Sequence, residues 1–206
     1  MKIYGYRASI NVRKVLWACE ELDLPFVQED WGGAYRPMSD PQFKALNSVG
    51  MIPVIDDDGV VVWESNTIVR YLAASRGRTD LLPTQPAARA RIEQWMDWQA
   101  SDFNNSWRFV FQGLVRKNPD FQDPKAIDSA WAQFCAMVAL IDAQLARTRG
   151  YITGDTFTVA DIVIGLSLRR WHSIPMTRPP LPNVERYYEL LLTRNGFQRY
   201  GRDGGP

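Results

Sequence analysis

The sequence predicts two parts in series, an α/β domain followed by an all-α helical one. Three features predict this division. Short apolar runs with strand-like alternation are confined to the first 76 residues. A stretch at 77–86 with two prolines and no periodicity reads as a linker. After it, from 87 to 206, every apolar pattern steps at helical spacing.

In the first part, Lys2 to Tyr6 alternates as a strand, and Asn11 to Leu22 follows with Val12, Val15, Leu16 and Cys19 on one helical face. Pro25 to Asp30 reads as a second strand. Trp31 to Pro41 holds two glycines and two prolines and reads as a loop, with a short helix over Pro41 to Leu46. Pro53 to Ile55 and Val60 to Trp63 flank Asp-Asp-Asp-Gly, a hairpin signal. Asn66 to Ser75 then carries Ile68, Val69, Tyr71 and Leu72 at helical spacing. The result is one βαβ unit followed by a ββα unit.

In the second part, Arg89 to Leu114 is helical and rich in Trp and Phe. Ile127, Trp131, Phe134, Val138, Ile141 and Leu145 step by four and three, one continuous apolar stripe. In TFTVADI, Thr158 is an N-cap and Asp161 can bond back to it, with Phe157 and Ile162 spaced for a hydrophobic staple. A last helix covers Val184 to Thr193, with Gly196 beyond it as a stop signal.

Composition excludes several function classes. A formal net charge of +1 over 206 residues offers no global field for nucleic acid or an anionic membrane. The N-terminal segment lacks the apolar stretch of a secretory signal, and the best apolar run, Phe134 to Ile141, is too short to span a bilayer. Two cysteines make neither a disulfide framework nor a metal cluster. The expectation is a soluble cytoplasmic protein without a metal, a nucleic-acid partner or a membrane partner.

The stretch VGMIPVIDDDGVVVWESNTIVRYL, Val49 to Leu72, carries the chemistry. Proline is tolerated at the first residue of a strand because it has no N–H for the ladder, and an X-Pro bond can be cis. A cis Ile52-Pro53 bond in the Met51-Ile52-Pro53 segment would turn the N–H and C=O of Ile52 outward, where an extended peptide could pair with them. Ser65 stands where a helix begins, and the free N–H groups of its first turn favour a carboxylate. Glu64 beside such an anion site makes sense if the ligand carries an ammonium next to its carboxylate. The bland alternative is a hairpin followed by an N-capped helix.

NSVGMIPVIDDDGVVVWESNTIVRYL resembles the glutathione site of the cytosolic glutathione S-transferase family. SINVRKVLWACEELDLPF is similar to the first loop and helix of its serine-type and bacterial, theta-like or beta-like, members, and FTVADI to the capping-box motif of its C-terminal domain. The resemblance implies the glutathione transferase architecture, a thioredoxin-like N-terminal domain plus an all-α C-terminal domain. It also implies glutathione as co-substrate and a homodimer. Ser48 stands where the family pattern has a proline, a departure that bears on loop rigidity and not on chemistry.

Glutathione attacks as its thiolate, which hydrogen-bond donors and a helix N-terminus stabilise. Ser9 lies just before the first helix, and the resemblance implies that its hydroxyl donates to the sulfur. Asn11 is a competing donor, and either residue could be only the helix cap. Arg13 and Lys14 add positive charge here, or form a solvated helix face. A covalent serine mechanism lacks a histidine partner, since the one histidine, His172, reads as structural or surface. Cys19 and Cys135 read as core residues. The loop from Trp31 to Pro41 should cover the glycine end of the tripeptide, and Arg36 is its one cation, a candidate for the glycine carboxylate.

In this family the second substrate lies between the domains. Trp95, Trp98, Phe103, Trp107, Phe109 and Phe111 suggest as a set a pocket for a small apolar electrophile, although any single one reads first as helix-bundle core and only part of the set can face a cleft. Trp63 and Tyr71 are candidates for the dimer interface. The reading is a transferase that joins the glutathione thiolate to such an electrophile. The alternatives are a disulfide reductase or peroxidase without a catalytic cysteine, and a non-catalytic glutathione-binding or regulatory protein.

Overall fold

The computed structural model describes residues 1–203, so the last three residues of the expected helical part lie outside it. Four strands form one mixed sheet in the order β2-β1-β3-β4: β1 (Lys2–Tyr4), β2 (Val27–Glu29), β3 (Val54–Asp57) and β4 (Val60–Trp63). β1 pairs parallel with β2 and antiparallel with β3, and β3 pairs antiparallel with β4. The helices of this half are α1 (Ile10–Glu21), α2 (Pro41–Leu46) and α3 (Ser65–Ser75). Ile3 and Ile55 are opposite each other in the sheet and fully buried, in one core with Val12, Leu16, Ile68 and Leu72 of α1 and α3. Burying each such side chain contributes roughly 1.5–3 kcal/mol.

A second small core of Tyr4, Trp31, Phe43 and Val54 seats the long loop before α2, with Met38, Leu46 and Ile52 packed on it. α2 starts on Asp40, whose carboxylate accepts from Gln42 N–H at 2.8 Å, with Pro41 at its first position.

The stretch read as a linker is packed down. Leu81 and Leu82 are buried, Arg78 donates to the Glu21 carbonyl at 2.8 Å, and the Val159 N–H reaches the Leu81 carbonyl at 3.2 Å. Helices follow: α4 (Pro86–Trp98), α5 (Asn104–Val110), α6 (Pro124–Thr148), α7 (Val159–Ser173), α8 (Pro182–Leu192) and the short α9 (Asn195–Phe197). The aromatic segment expected as one regular helix departs from that pattern. π-helical turns at Gln99–Phe103 and Phe111–Val115 interrupt it, and the first of them widens the helix where it faces α7.

α6 has 25 residues and is long and apolar enough to cross a membrane by length and composition, contrary to the expectation drawn from its short Phe134–Ile141 run. Its stripe from Ile127 to Leu145 is instead buried against α5 and α8. α7 runs through the middle of the helical half, and its start is the expected capping box. The Asp161 carboxylate accepts from the Thr158 N–H at 2.8 Å, the Ile152 N–H at 2.9 Å and the Tyr187 hydroxyl at 2.7 Å. Burial outweighs those donors and pushes this carboxyl up to about 6.

Gly196 is not a helix stop. α8 ends earlier, at Leu192, and Gly196 lies within α9. Its reason is close approach: a Cβ there would collide with the indole of Trp17. Trp17 is thus locked between Phe197 and Phe157, with ring centroids 5.2 and 5.8 Å away, and it carries the last helices onto α1.

Candidate active site

β1 ends at Tyr4, and the chain turns through Gly5 to Ser9 before α1 begins. Ser9 occupies the cap position with φ −70° and ψ 125°, yet its hydroxyl makes no capping hydrogen bond. Its N–H is bound to the Tyr6 carbonyl at 3.1 Å, so the backbone is fixed while Oγ is left available.

The other site residues meet at the start of α3. Asn11, Lys14, Glu64, Ser65, Asn66, Ala100 and Asn104 line a hollow of about 160 Å³. Glu64 occupies the N-cap position of α3 with φ 69° and ψ 113°, a positive-φ conformation that an L-residue with a side chain rarely adopts. Such a backbone costs about 1–3 kcal/mol and persists where the surroundings impose it, most often at functional sites. Among the described residues no side chain caps this helix, so the first-turn N–H groups beginning at Ser65 are left unspent beside the hollow. Ile52-Pro53 is cis, and the backbone N–H and C=O of Ile52 make no hydrogen bond among the described residues. Asn47 stiffens the loop that lacks the expected proline. It accepts from the Val49 N–H at 3.0 Å and donates to the Met51 carbonyl at 2.8 Å.

Arg13 and Lys14 are not a solvated face. Both are buried, at 1% and 3% exposure. The reason is local: six of the eight residues from Val12 to Cys19 are apolar, so α1 is enclosed on nearly every side. Lys14 Nζ donates to Asn66 Oδ1 at 3.0 Å and Gln99 Oε1 at 2.8 Å, and Gln99 donates onward to Ser167 Oγ at 3.0 Å. Burial, with Arg170 nearby, pushes the Lys14 ammonium down to about 7 against the opposing pull of Glu64. Arg13 donates to the Tyr200 carbonyl at 3.2 Å. Sequence reading missed this network, although a cation inside an all-round apolar helix was its signal.

Arg36 does not join the hollow. Its guanidinium lies 3.8 Å from Glu29 and over the Trp31 ring, in a separate depression with Asp30, Tyr35 and Gln42. Lys44, outside the loop considered from sequence, lies against Gly50 and donates to the Ser48 carbonyl at 3.0 Å. Cys19 is buried with its thiol pushed up to about 12 by burial, and Cys135 is half-buried with its thiol also raised. His172 packs on Tyr188, with ring centroids 4.1 Å apart, and burial with Arg178 and Arg169 pushes it down to about 4. Among the described residues no group of three His, Cys, Asp or Glu side chains is disposed to hold a metal.

The six aromatics divide four ways. Phe103 is fully buried, stacked on Trp98 at 4.9 Å and against Phe134 at 5.6 Å. Trp95 and Trp98 open on an outer groove with Leu140. Phe109 packs on Phe121, while Trp107 and Phe111 hold the guanidinium of Arg170.

A four-stranded mixed sheet with a cis-proline loop, joined to helices that bury its first helix, defines the glutathione transferase class of fold. The chain's matches agree with that. Residues 3–79 match the family model of the glutathione S-transferase N-terminal domain, and residues 124–190 that of the C-terminal domain. The sequence is 40% identical to glutathione S-transferase GstB of Escherichia coli K12, over 96% of this chain and 95% of that protein. It is 34% identical to glutathione S-transferase 3 of Zea mays, over 97% and 92%. A crystal structure of the theta class glutathione S-transferase from Xanthomonas axonopodis pv. citri, with glutathione bound, superposes with a TM-score of 0.90 at 38% identity, covering 97% of this chain and 96% of that one. The chain belongs to the glutathione S-transferase family. It is a glutathione transferase with the family's thioredoxin-like and helical halves.

Proposed function

We propose that the hollow at the start of α3 takes the γ-glutamyl head of glutathione. The observation that carries this is Glu64, held at positive φ where Asn11, Ser65 and the open N–H groups of α3 converge. The α-carboxylate sits on those N–H groups and on the Ser65 hydroxyl, and the α-ammonium on Glu64. The extended middle pairs with Ile52, between Met51 and Pro53. The Ser9 hydroxyl, free of a capping bond, donates to the sulfur and lowers its pKa, with the α1 N-terminus adding to the effect. A second reading gives the sulfur to Asn11, which stands two residues after Ser9 in the first turn of α1 and offers a competing donor. The glycine carboxylate goes to Arg36, which must leave Glu29, or to Lys44 beside Gly50.

The thiolate then displaces a leaving group from an electrophile lying between the Ser9 loop and the Trp107–Phe111 segment. We further propose that the functional boundary lies at 77–86, and that the protein is cytoplasmic and a homodimer. Exposed Val60, Val61 and Trp63 on β4, and the Trp95–Trp98–Leu140 groove, are apolar surfaces that support dimerisation. Tyr71 is less suited to the interface, since its hydroxyl is spent on Asp57 at 3.0 Å.

The test compares glutathione with its des-amino analogue, glutaryl-Cys-Gly, by calorimetry. Wild type should prefer glutathione by about tenfold or more, the worth of one charge-assisted hydrogen bond, and Glu64→Gln should lose the preference. Equal affinity for the two ligands in wild type would remove Glu64 from the site.

A further inference from the structure

Arg170, near the end of α7, is more than nine-tenths buried, at 7% exposure, and its guanidinium makes no hydrogen bond or ion pair among the described residues. Its Cζ lies 3.9 Å from the centroid of the Trp107 ring and 4.5 Å from that of Phe111. Those rings stand edge to face, and Arg116 lies on Phe111 as well, at 5.6 Å. The cations around Arg170 are Arg13, Arg116 and Lys14, and the Tyr6 phenol also acts on it. Burial and those two arginines push its guanidinium down to about 9, which leaves it protonated at neutral pH.

A buried cation with cationic neighbours and, among the described residues, no acid is costly unless something answers its charge. Aromatic faces answer only part of it, because they accept no N–H in the guanidinium plane. The edge of the fork is left to a planar bidentate acceptor, and a carboxylate matches it best. Its position points the same way. Arg170 acts on Lys14, which lines the glutathione hollow, and it feels Tyr6, three residues before Ser9. It therefore stands within electrostatic reach of both the hollow and the loop that carries the thiol donor.

We propose that Arg170, cushioned by Trp107 and Phe111, receives a carboxylate on the second substrate, so that the acceptor is an aromatic electrophile bearing an anion. This rests on the transferase reading of the site. The thiol first gives its proton to solvent. The sulfur then forms a bond to the electrophilic carbon as the bond to the leaving group breaks, and the leaving group departs with the electron pair. Arg170 does not touch the reacting atoms. It selects and orients the acceptor.

The test uses two acceptors that differ only in charge, 4-(bromomethyl)benzoate and 4-(bromomethyl)benzamide, each normalised to its uncatalysed reaction with glutathione. Wild type should favour the benzoate in kcat/KM by at least about tenfold, the scale of a charge-assisted pair. In Arg170→Gln that ratio should fall to near unity, and Arg170→Lys should restore part of it. A wild-type ratio near one overturns the proposal without any variant, as does a ratio that survives in Arg170→Gln. Binding of the unreactive 4-methylbenzoate and 4-methylbenzamide to the glutathione-loaded protein, read by tryptophan fluorescence, separates the two layers. Discrimination in binding without turnover would sink the transferase step and keep the anion site. Turnover of both acceptors without discrimination would sink the anion site alone.

Discussion

Lys14 Nζ lies 3.0 Å from Asn66 Oδ1, so a buried ammonium ties the first helix to the residue beside Ser65. The same nitrogen reaches Gln99, and one cation thereby joins α1, α3 and the helical half. This contact gives the protein a pH signature. Free lysine titrates at 10.5 and the folded Lys14 at about 7. Between those values the unfolded chain holds a proton that the folded chain has shed, so stability rises with pH across the window and its loss is complete below about 7. Lys14→Met should flatten that rise. Urea midpoints measured across the window check it, and an unchanged slope in the variant would mean that Lys14 is not the titrating group.

Asp161 collects four donors: the Ile152 N–H, the Thr158 N–H and hydroxyl, and the Tyr187 hydroxyl. Asp161→Ala strands at least the two N–H groups and the Tyr187 hydroxyl in a buried site, at about 1–3 kcal/mol each, so the loss should reach several kcal/mol. Tyr187→Phe removes one donor and should cost about 1 kcal/mol. Equilibrium urea unfolding of both variants reads the contrast.

Gly196 gives way to Trp17, and Gly165 to Leu191, whose Cδ1 would stand 2.7 Å from a Cβ at that position. Gly196→Ala should destabilise by about 1–3 kcal/mol through overpacking. The Trp17 fluorescence spectrum should shift with it, since the indole must move. A thermal midpoint equal to wild type would show that the C-terminal turns relax without disturbing Trp17.

Glu64→Ala should weaken glutathione binding by about tenfold or more, through the lost pairing with the ammonium. It should also relieve little backbone strain, because alanine keeps the Cβ that makes φ 69° unfavourable. Glu64→Gly separates the two effects. It should bind as weakly as the alanine variant and fold more stably, by calorimetry and thermal denaturation respectively.

The elements legible in the sequence were those specified by neighbours along the chain. α2 spans Pro41–Leu46 and β4 spans Val60–Trp63, as their flanking prolines, aspartates and glycine announce. The Thr158–Asp161 box and the Ile52-Pro53 turn are local too. So were Asn11, Glu64 and Ser65, three site candidates that converge on one hollow. What was not legible depends on partners far along the chain. Arg13 and Lys14 stayed open between a charge beside the loop and a solvated face because the groups that hold them, Tyr200, Asn66 and Gln99, lie far along the chain. The positive φ of Glu64 and the π turns before and after α5 leave no local signature. Gly196 read as a stop because its true partner, Trp17, lies at the other end of the chain.

Thiol activation is the step on which the proposed chemistry turns, and it is assigned to the Ser9 hydroxyl. The direct test is the near-ultraviolet thiolate absorbance of bound glutathione across pH, in wild type and Ser9→Ala. Wild type should show thiolate near neutral pH, and a Ser9→Ala variant that still binds glutathione should lose it. Thiolate persisting undiminished in Ser9→Ala would refute the assignment and pass the role to Asn11 or to the N-terminus of α1.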